Sequence, residues 1–182
     1  MTPEECQAIL DKNFHSQKKI FAGVTNGEVK QNSDGTSSVV SEVVEKIRKT
    51  EIVWAFDQQL SNLMINHMHS ANVQAGWFIN AGPLSDVQIG RYAAGGHYDW
   101  HTDATKPGPE GLQRKLSISV LLSDHTAYDG GDLLINRSTP IKPTRKQGSI
   151  IVFPACVYHK VEPVTRGERY SAVSWMSGPP FR

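Results

Sequence analysis

The sequence predicts an α+β protein that is mainly β, with a double-stranded β-helix (jelly-roll) core and N-terminal helices packed on one outer face. From Gly76 onward, apolar residues recur with a period of two, which is typical of half-buried strands. Eight short strands with turn signals between them indicate an antiparallel roll of two sheets. The predicted strands are Gly76–Asn80, Asp86–Ala93, His97–His101, Arg114–Leu122, Asp132–Asn136, Gly148–Phe153, His159–Pro163 and Arg169–Met176.

The first part of the chain, residues 1–75, is predicted to be a mainly helical support for the core at 76–177. Thr2 and Pro3 have the residue types of a helix N-cap and first helical position, so a short helix to about Phe14 is expected. A strand is expected near Lys19–Gly23. These elements and the core are predicted to form a single domain, 1–182.

Three further segments complete the N-terminal prediction. Thr25–Thr36 is polar and rich in turn residues, which favours a flexible loop. The spacing of the apolar residues in Val39–Ile47 suggests one or two helical turns, although β-branched residues weaken this interpretation. Glu51–Phe56 is predicted as a strand. Asp57 then caps a clearer helix with an apolar stripe that includes Leu60 and Met64.

The composition limits the classes to which this protein can belong. The chain has 182 residues, of which 38% are hydrophobic and 20% charged, as expected for one soluble globular domain. Its net charge of +1 gives no bulk attraction to nucleic acid or to a membrane. No apolar run approaches ~20 residues and the start lacks signal-peptide character, so a cytoplasmic location is expected. Cys6 and Cys156 are expected to be reduced, buried thiols.

The motif that organises the chain is His101-Thr-Asp103, read together with His159. Alternate side chains of an extended strand share a face, so His101 and Asp103 point the same way. With a second imidazole they form a facial triad, which leaves open positions on iron(II). His-x-Asp alone is also common as a hydrogen-bonded strand pair. The same alternation would place His97 and Asp99 on the metal-facing side.

A second observation extends the site beyond the metal. A strand, a turn and a second strand would bring Arg169 close to His159, and its planar guanidinium can bind a carboxylate bidentately. Metal ligands with such a clamp imply a dicarboxylate that chelates the metal through a 2-oxo acid. Arg166 is the competing candidate, but it lies in the turn and is expected to face solvent. Ser117 is predicted as a second contact for the distal carboxylate, with a backbone-bonded buried serine as the alternative.

Several motifs in order resemble the prolyl 4-hydroxylase-like (PKHD-type) branch of the 2-oxoglutarate/Fe(II) oxygenases. The resemblance covers about Ile47 to Trp175. The motifs that carry it are Ile47-Arg-Lys-Thr-Glu-Ile-Val-Trp54, Tyr92…Gly95-Gly-His-Tyr-Asp-Trp-His101-Thr-Asp103, Arg114-Lys-Leu-Ser117, Tyr128-Asp-Gly-Gly-Asp-Leu133 and His159…Pro163-Val-Thr-Arg-Gly-Glu-Arg169-Tyr-Ser171.

The resemblance implies a dioxygenase that uses Fe(II), 2-oxoglutarate and O2, with ascorbate as a reductant. The cosubstrate is oxidatively decarboxylated to succinate and CO2 while an unactivated C–H bond is hydroxylated. The implied iron ligands are His101, Asp103 and His159. The implied cosubstrate residues are Arg169, Tyr92, Ser117, Ser171 and Trp175.

The implied acceptor is a prolyl residue of a peptide or protein, with hydroxylation at C4. Two polar stretches, Thr25–Thr36 and Ala104–Gln113, are expected to enclose it as lids. A hydroxylase of a free amino acid or small metabolite is an alternative. A non-catalytic cupin-like metal-binding module and a zinc hydrolase are two others. No nucleic-acid or membrane partner is expected.

Overall fold

Two antiparallel sheets of six and four strands make up the core of the computed structural model. It describes residues 1–22, 24–31, 37–104, 106–108, 110–136 and 138–180, with only the backbone for 24–31 and 37–42. The strands within these residues are β1 Ile20–Phe21, β2 Val24–Gln31, β3 Ser37–Glu42, β4 Arg48–Lys49, β5 Glu51–Ala55, β6 Val87–Tyr92, β7 His97–His101, β8 Gln113–Leu121, β9 Tyr128–Gly130, β10 Leu133–Ile135, β11 Ile150–Pro154, β12 His159–Val161, β13 Val164–Gly167 and β14 Arg169–Gly178.

The six-stranded sheet has the order β1-β5-β6-β14-β8-β11, and the four-stranded sheet has the order β10-β12-β7-β4. Non-sequential neighbours such as β6-β14-β8 show that the chain winds back and forth between the sheets. The pairs β9-β13 and β2-β3 form two small additional sheets. The predicted double-stranded β-helix fold class is confirmed.

The helices pack on the outer face of the six-stranded sheet. α1 spans Pro3–Ile9, continues as a π-helix over Leu10–His15, and begins with a capping box between Thr2 and Glu5. α2 spans Gln58–Gln74 and begins at Asp57, whose carboxylate accepts hydrogen bonds from the first-turn amides. Neither α-helix of the described chain has the length and apolar character that a membrane crossing requires.

Alternation over residues 116–120 of β8 separates the hydrophobic core from the cavity between the sheets. Leu116, Ile118 and Val120 point outward into one buried cluster with residues of α1 and α2. Ser117 and Ser119 point inward and line the cavity. The small side chains on the inner face therefore leave room for a ligand.

The N-terminal region differs from the prediction because it contributes strands as well as helices. In the segment predicted as a flexible loop, residues 25–31 belong to β2, which pairs with β3 from Val24↔Glu42 to Gln31↔Ser37; residues 32–36 lie outside the described chain. The prediction of helical turns at Val39–Ile47 is wrong over β3. β4 belongs to the four-stranded sheet and β5 belongs to the six-stranded sheet.

Two short segments in the second half also differ from the prediction. Gly76–Asn80 is not a strand, because the chain leaves α2 through a turn in which Gly76 has φ 67° and Phe78 has φ 48°. Thr165–Gly167, which was expected to turn, lies within β13, which pairs with β9. Both cysteines are free, but Cys156 is exposed, so its predicted burial is wrong.

Candidate metal centre and adjoining cavity

The metal-binding candidates come from two paired strands. His101 ends β7 and lies opposite His159, the first residue of β12. Asp103 follows two residues later, where its amide and that of Ala104 both donate to the carbonyl of Ala155. These contacts fix the chain beyond β7 and hold the buried Asp103 carboxylate beside the two rings.

The three side chains meet at one point. His159 Nε2 lies 3.4 Å from Asp103 Oδ2, and His101 Nε2 lies 3.8 Å from Asp103 Oδ1. One ligand atom from each residue falls within 4.8 Å of the others. Two imidazoles and one carboxylate on one side of a cavity are the donor set of a facial triad.

The hydrogen bonds of the rings select the tautomer that a metal requires. His101 Nδ1 lies 2.7 Å from the carbonyl oxygen of Asp99, and His159 Nδ1 lies 3.0 Å from that of Val157. A carbonyl can only accept, so both Nδ1 atoms carry the proton and both Nε2 lone pairs are free. The residues present therefore fit a divalent metal ion.

The electrostatics of the site favour the ligand forms of the side chains. Burial, together with the neighbouring His159, lowers the pKa of His101 to about 4. Burial would raise the pKa of Asp103, but the two histidines and hydrogen bonds from Ser117 and Trp175 hold it below its usual range. At neutral pH the site therefore offers a neutral His101 imidazole and an ionised Asp103 carboxylate.

Ser117 belongs to the metal end of the cavity. Its hydroxyl donates a 2.7 Å hydrogen bond to Asp103 Oδ2, which differs from the predicted contact with a distal carboxylate. The sheet register explains the difference, because Ser117 lies opposite Trp175, whereas Ser171 lies opposite Leu121. Four residues along a strand correspond to about 13 Å, so Ser117 is far from the Arg169 end.

Arg169 lies in the opposite end of the cavity wall. It is 4% exposed, donates a 3.0 Å hydrogen bond from Nη1 to Ser171 Oγ, and has its guanidinium carbon 5.3 Å from the centre of the Tyr92 ring. No carboxylate of the described residues forms an ion pair with it. Arg166, by contrast, is exposed and pairs with Asp129 at 2.6 Å. Arg169 is thus the arginine of this pair that lines the cavity.

A β-bulge in β7 brings in a residue that alternation could not predict. Between the pairs His159↔His101 and Val161↔Tyr98 the strand β7 has one extra residue. The bulge puts Tyr98 on the face of His101, and the two rings stack with centroids 3.5 Å apart and planes at 12°. The expectation that His97 and Asp99 share this face is wrong, because neither lines the cavity.

A second bulge, in β8, does the same for Arg114. The pairs Met176↔Leu116 and Ser177↔Arg114 leave Lys115 as the extra residue. Arg114 thereby moves to the inner face, where its guanidinium carbon lies 3.7 Å from the centre of the Trp175 ring. Simple alternation would place Arg114 with Leu116 in the apolar core.

The cavity between the two sheets has a volume of about 590 Å³. The triad lies in its wall together with Tyr92, Arg169, Ser171 and Trp175, so one continuous space connects the metal candidates to the buried guanidinium. Lys106, Pro107, Gly108 and Leu112 also line it, which places part of the predicted lid Ala104–Gln113 against the cavity. A space of this size suits a small-molecule ligand.

Comparison with known proteins identifies the family. The sequence profile of the 2OG-Fe(II) oxygenase superfamily matches residues 87–177, half of the chain. A PKHD-type hydroxylase of Pseudomonas putida is 37% identical over 92 residues, which is 48% of this chain and 41% of that protein. One from a Synechococcus strain is 41% identical over 96 residues, 51% of this chain and 43% of that protein. The chain therefore aligns with about two fifths of the length of these curated relatives.

Solved structures share the fold. A Pseudomonas putida prolyl-4-hydroxylase has a TM-score of 0.60 and 20% identity, covering 95% of this chain and 82% of that one. The viral collagen prolyl hydroxylase of Paramecium Bursaria Chlorella virus-1, solved with 2OG, has a TM-score of 0.67 and 19% identity, covering 98% and 92%.

Fold and site together define a double-stranded β-helix protein with a candidate metal centre of two histidines and one carboxylate. The chain belongs to the 2OG-Fe(II) oxygenase superfamily. The resemblance to its PKHD-type branch, drawn from the sequence motifs, is confirmed by the PKHD-type hydroxylases among its relatives.

Proposed function

We propose that this protein is a 2-oxoglutarate-dependent Fe(II) dioxygenase that hydroxylates a prolyl residue of a peptide or protein at C4. The observation that carries the proposal is that His101, Asp103 and His159 line the same cavity as the buried guanidinium of Arg169, which pairs with no carboxylate of the described residues. A metal site alone does not require a buried guanidinium. A dicarboxylate that chelates the metal at one end requires the metal there and a cation at its other end.

The metal would be held by His101 Nε2, His159 Nε2 and the Asp103 carboxylate. The carbonyls of Asp99 and Val157 keep the two rings in the tautomer and orientation that coordination needs. A bound iron(II) would activate O2, which is the oxidant: one oxygen atom would go to 2-oxoglutarate, released as succinate and CO2, and the other to the hydroxylated C–H bond.

Arg169 and Ser171 would hold the distal carboxylate of the cosubstrate. The guanidinium is already oriented along β14 by its hydrogen bond to Ser171 Oγ, so little side-chain freedom is lost on binding. Tyr92, opposite Arg169 in the sheet, lines the same end of the pocket and would help to shield the charge pair from water. A buried charge pair of this kind fixes both the length and the charge of the acid that fits.

The prolyl acceptor is supported by the proteins of the same fold. One of them is named a prolyl-4-hydroxylase and another a collagen prolyl hydroxylase. A third, a prolyl hydroxylase with a TM-score of 0.59 and 15% identity, was solved with a hypoxia inducible factor peptide fragment from Trichoplax adhaerens. Lys106, Pro107 and Gly108 line the cavity of this chain, and we place the bound peptide beside this segment.

The test is succinate formation by the purified chain with Fe(II), 2-oxoglutarate and O2, with and without ascorbate, over a panel of proline-containing peptides and free amino acids. We expect peptide-stimulated succinate and a hydroxylated proline, and no turnover with Zn(II). No succinate with Fe(II) under any condition would contradict the oxygenase. Stimulation by free amino acids alone would contradict the peptide acceptor only.

A further inference from the structure

Two guanidiniums, those of Arg48 and Arg114, lie over aromatic rings in the wall of the cavity. The guanidinium carbon of Arg114 is 3.7 Å from the centre of the Trp175 ring, and that of Arg48 is 4.6 Å from the centre of the Tyr98 ring. Trp175 hydrogen-bonds to Asp103, and Tyr98 stacks on His101. One aromatic ring therefore lies between each guanidinium and a candidate metal ligand.

Both positions depend on the bulges of β7 and β8. The first turns Tyr98 inward, and Arg48 lies opposite Tyr98 in the β4–β7 pairing. The second turns Arg114 inward next to Ser177. Bulges interrupt the hydrogen-bond ladder and are enriched beside active sites, where they re-aim a side chain. Two independent interruptions that each help place an arginine in one cavity indicate a use for the pair.

The two cations lack a carboxylate partner within the described side chains. No ion pair joins Arg48 or Arg114 to an acid there, and among the described residues that line the cavity Asp103 is the single carboxylate. Arg48 Nη2 donates to Gln88 Oε1 at 2.6 Å, but its buried Nε has no hydrogen-bond partner in this part of the chain. Both side chains are half-buried, and a guanidinium that is partly withdrawn from water is costly unless something pairs with it.

The charges of the metal and cosubstrate also leave Arg48 and Arg114 without a negative partner. The metal and Arg169 carry three positive charges, which Asp103 and the two carboxylates of 2-oxoglutarate balance. Arg48 and Arg114 then remain uncompensated beside the place where the acceptor must sit. A guanidinium stacked on a ring keeps its edge N–H groups free to donate to an oxyanion.

We propose that Arg114 and Arg48 bind a carboxylate of the acceptor, so that the preferred acceptor carries an acidic group next to the carbon that is hydroxylated. This inference rests on the proposed oxygenase function and refines its substrate class. The carboxylate can come from an acidic side chain flanking the proline, from a C-terminal proline, or from a free amino acid, and these sources share the same recognition chemistry.

The test is a binding comparison that does not depend on turnover. The protein is loaded with Mn(II) and 2-oxoglutarate without oxygen, and ligand binding is measured by calorimetry. The ligands are three pairs: a proline peptide with a flanking Glu and its Gln counterpart, a peptide ending in free proline and its amide, and free proline and prolinamide. At least one carboxylate ligand should bind about tenfold or more tightly than its amide, as a charge-assisted hydrogen bond implies.

The Arg114→Gln and Arg48→Gln variants should each reduce that ratio, and the double variant should bring it close to one. Arg114→Lys, which keeps the charge, should restore part of it. Arg145 is the matched control, since its guanidinium also lies over a ring, 4.5 Å from that of Tyr128, but outside the cavity wall. Arg145→Gln should leave the ratio unchanged.

Two results would overturn the inference. One is equal binding of acid and amide in all three pairs by the wild-type protein. The other is that Arg114→Gln weakens 2-oxoglutarate while the acid-to-amide ratio persists, which would assign the cation to the cosubstrate. Succinate release without acceptor, measured on the Fe(II) protein, separately tests the oxygenase function, so the two failures are distinguishable.

Discussion

The Ser117 hydroxyl donates to Asp103 Oδ2 at 2.7 Å, the oxygen that also faces His159 Nε2. This hydrogen bond orients the candidate ligand and stabilises its ionised form. We expect Ser117→Ala to weaken metal binding by about 10–100-fold, the usual effect of removing such a partner. Calorimetric titration of the metal-free protein with Mn(II) measures it.

Ser119 provides the matched control for this experiment. It is the next inward-facing residue of β8 and lines the same cavity, but the hydrogen bond to the Asp103 carboxylate comes from Ser117. Ser119→Ala should leave the metal affinity within about twofold. A Ser117→Ala protein that bound metal normally but had lost affinity for 2-oxoglutarate would restore the role first predicted for Ser117.

The triad makes a stronger prediction for His159. His159→Ala removes one of three donors, so turnover should be lost and metal affinity should fall sharply. His97→Ala is the control, because His97 begins β7 but its ring hydrogen-bonds to the backbone carbonyls of Gly95 and Lys46 and does not line the cavity. Near-normal turnover and metal content in His159→Ala would contradict the triad assignment.

Arg169 and Arg166 are three residues apart, but Arg169 is buried in the cavity wall and Arg166 is exposed. The effects of replacing them should therefore differ. Arg169→Ala should raise the Michaelis constant for 2-oxoglutarate by about a hundredfold or more, because a buried carboxylate would lose its partner at a cost of about 3–5 kcal/mol. Arg166→Ala breaks an exposed pair with Asp129, which is worth little. Steady-state kinetics on both variants decides; an equal or larger effect at Arg166 would move the clamp there.

The sequence predicted those site residues whose position follows from regular alternation. Arg169 and Ser171 lie on one face of β14, and Ser117 lies on the inner face of β8, as two-residue periodicity requires. Alternation could not say which end of the cavity each would occupy. That depends on the pairing of Ser117 with Trp175, a non-local register that the sequence of one strand does not contain.

The residues that were missed are those that bulges redirect. Alternation predicts that Tyr98 and Arg114 point away from the cavity, whereas the bulges turn both toward it. No residue near Asp99 or Lys115 signals that an extra residue is present. The β2–β3 hairpin was missed for a different reason. The apolar spacing around Val39 fits a helix, but β-branched residues also favour strands, and the pairing with β2 decides between them.

Asp57 predicts a pH dependence of stability. Burial alone would raise its pKa, but hydrogen bonds from Lys12, Asn13 and the amide of Leu60 hold the pKa below its usual range. A depressed folded-state pKa stabilises the protein above the unfolded value of about 4, and this contribution is lost as the pH falls through the folded value. Asp57→Ala, which also removes the α2 cap, should cost about 1–2 kcal/mol at pH 7.

Asp57→Asn separates the charge from the cap, since asparagine caps a helix about as well as aspartate. The difference in unfolding free energy between wild type and Asp57→Asn should be constant from about pH 8 to 5 and shrink below about pH 4. Urea unfolding across this range measures it. A difference that stayed constant down to pH 2 would show that the charge contributes nothing.

The segment after the triad supplies the last prediction. Lys106, Pro107, Gly108 and Leu112 line the cavity, and a turn closed by the 2.8 Å hydrogen bond from the Gly108 amide to the Leu112 carbonyl holds them there. If this segment encloses the acceptor, its amides should exchange more slowly with deuterium when 2-oxoglutarate and a proline peptide are both bound. Exchange at the α2 exit turn, Gly76–Asn80, serves as the internal control. Equal protection with 2-oxoglutarate alone would show that the segment responds to the cosubstrate and not to the acceptor.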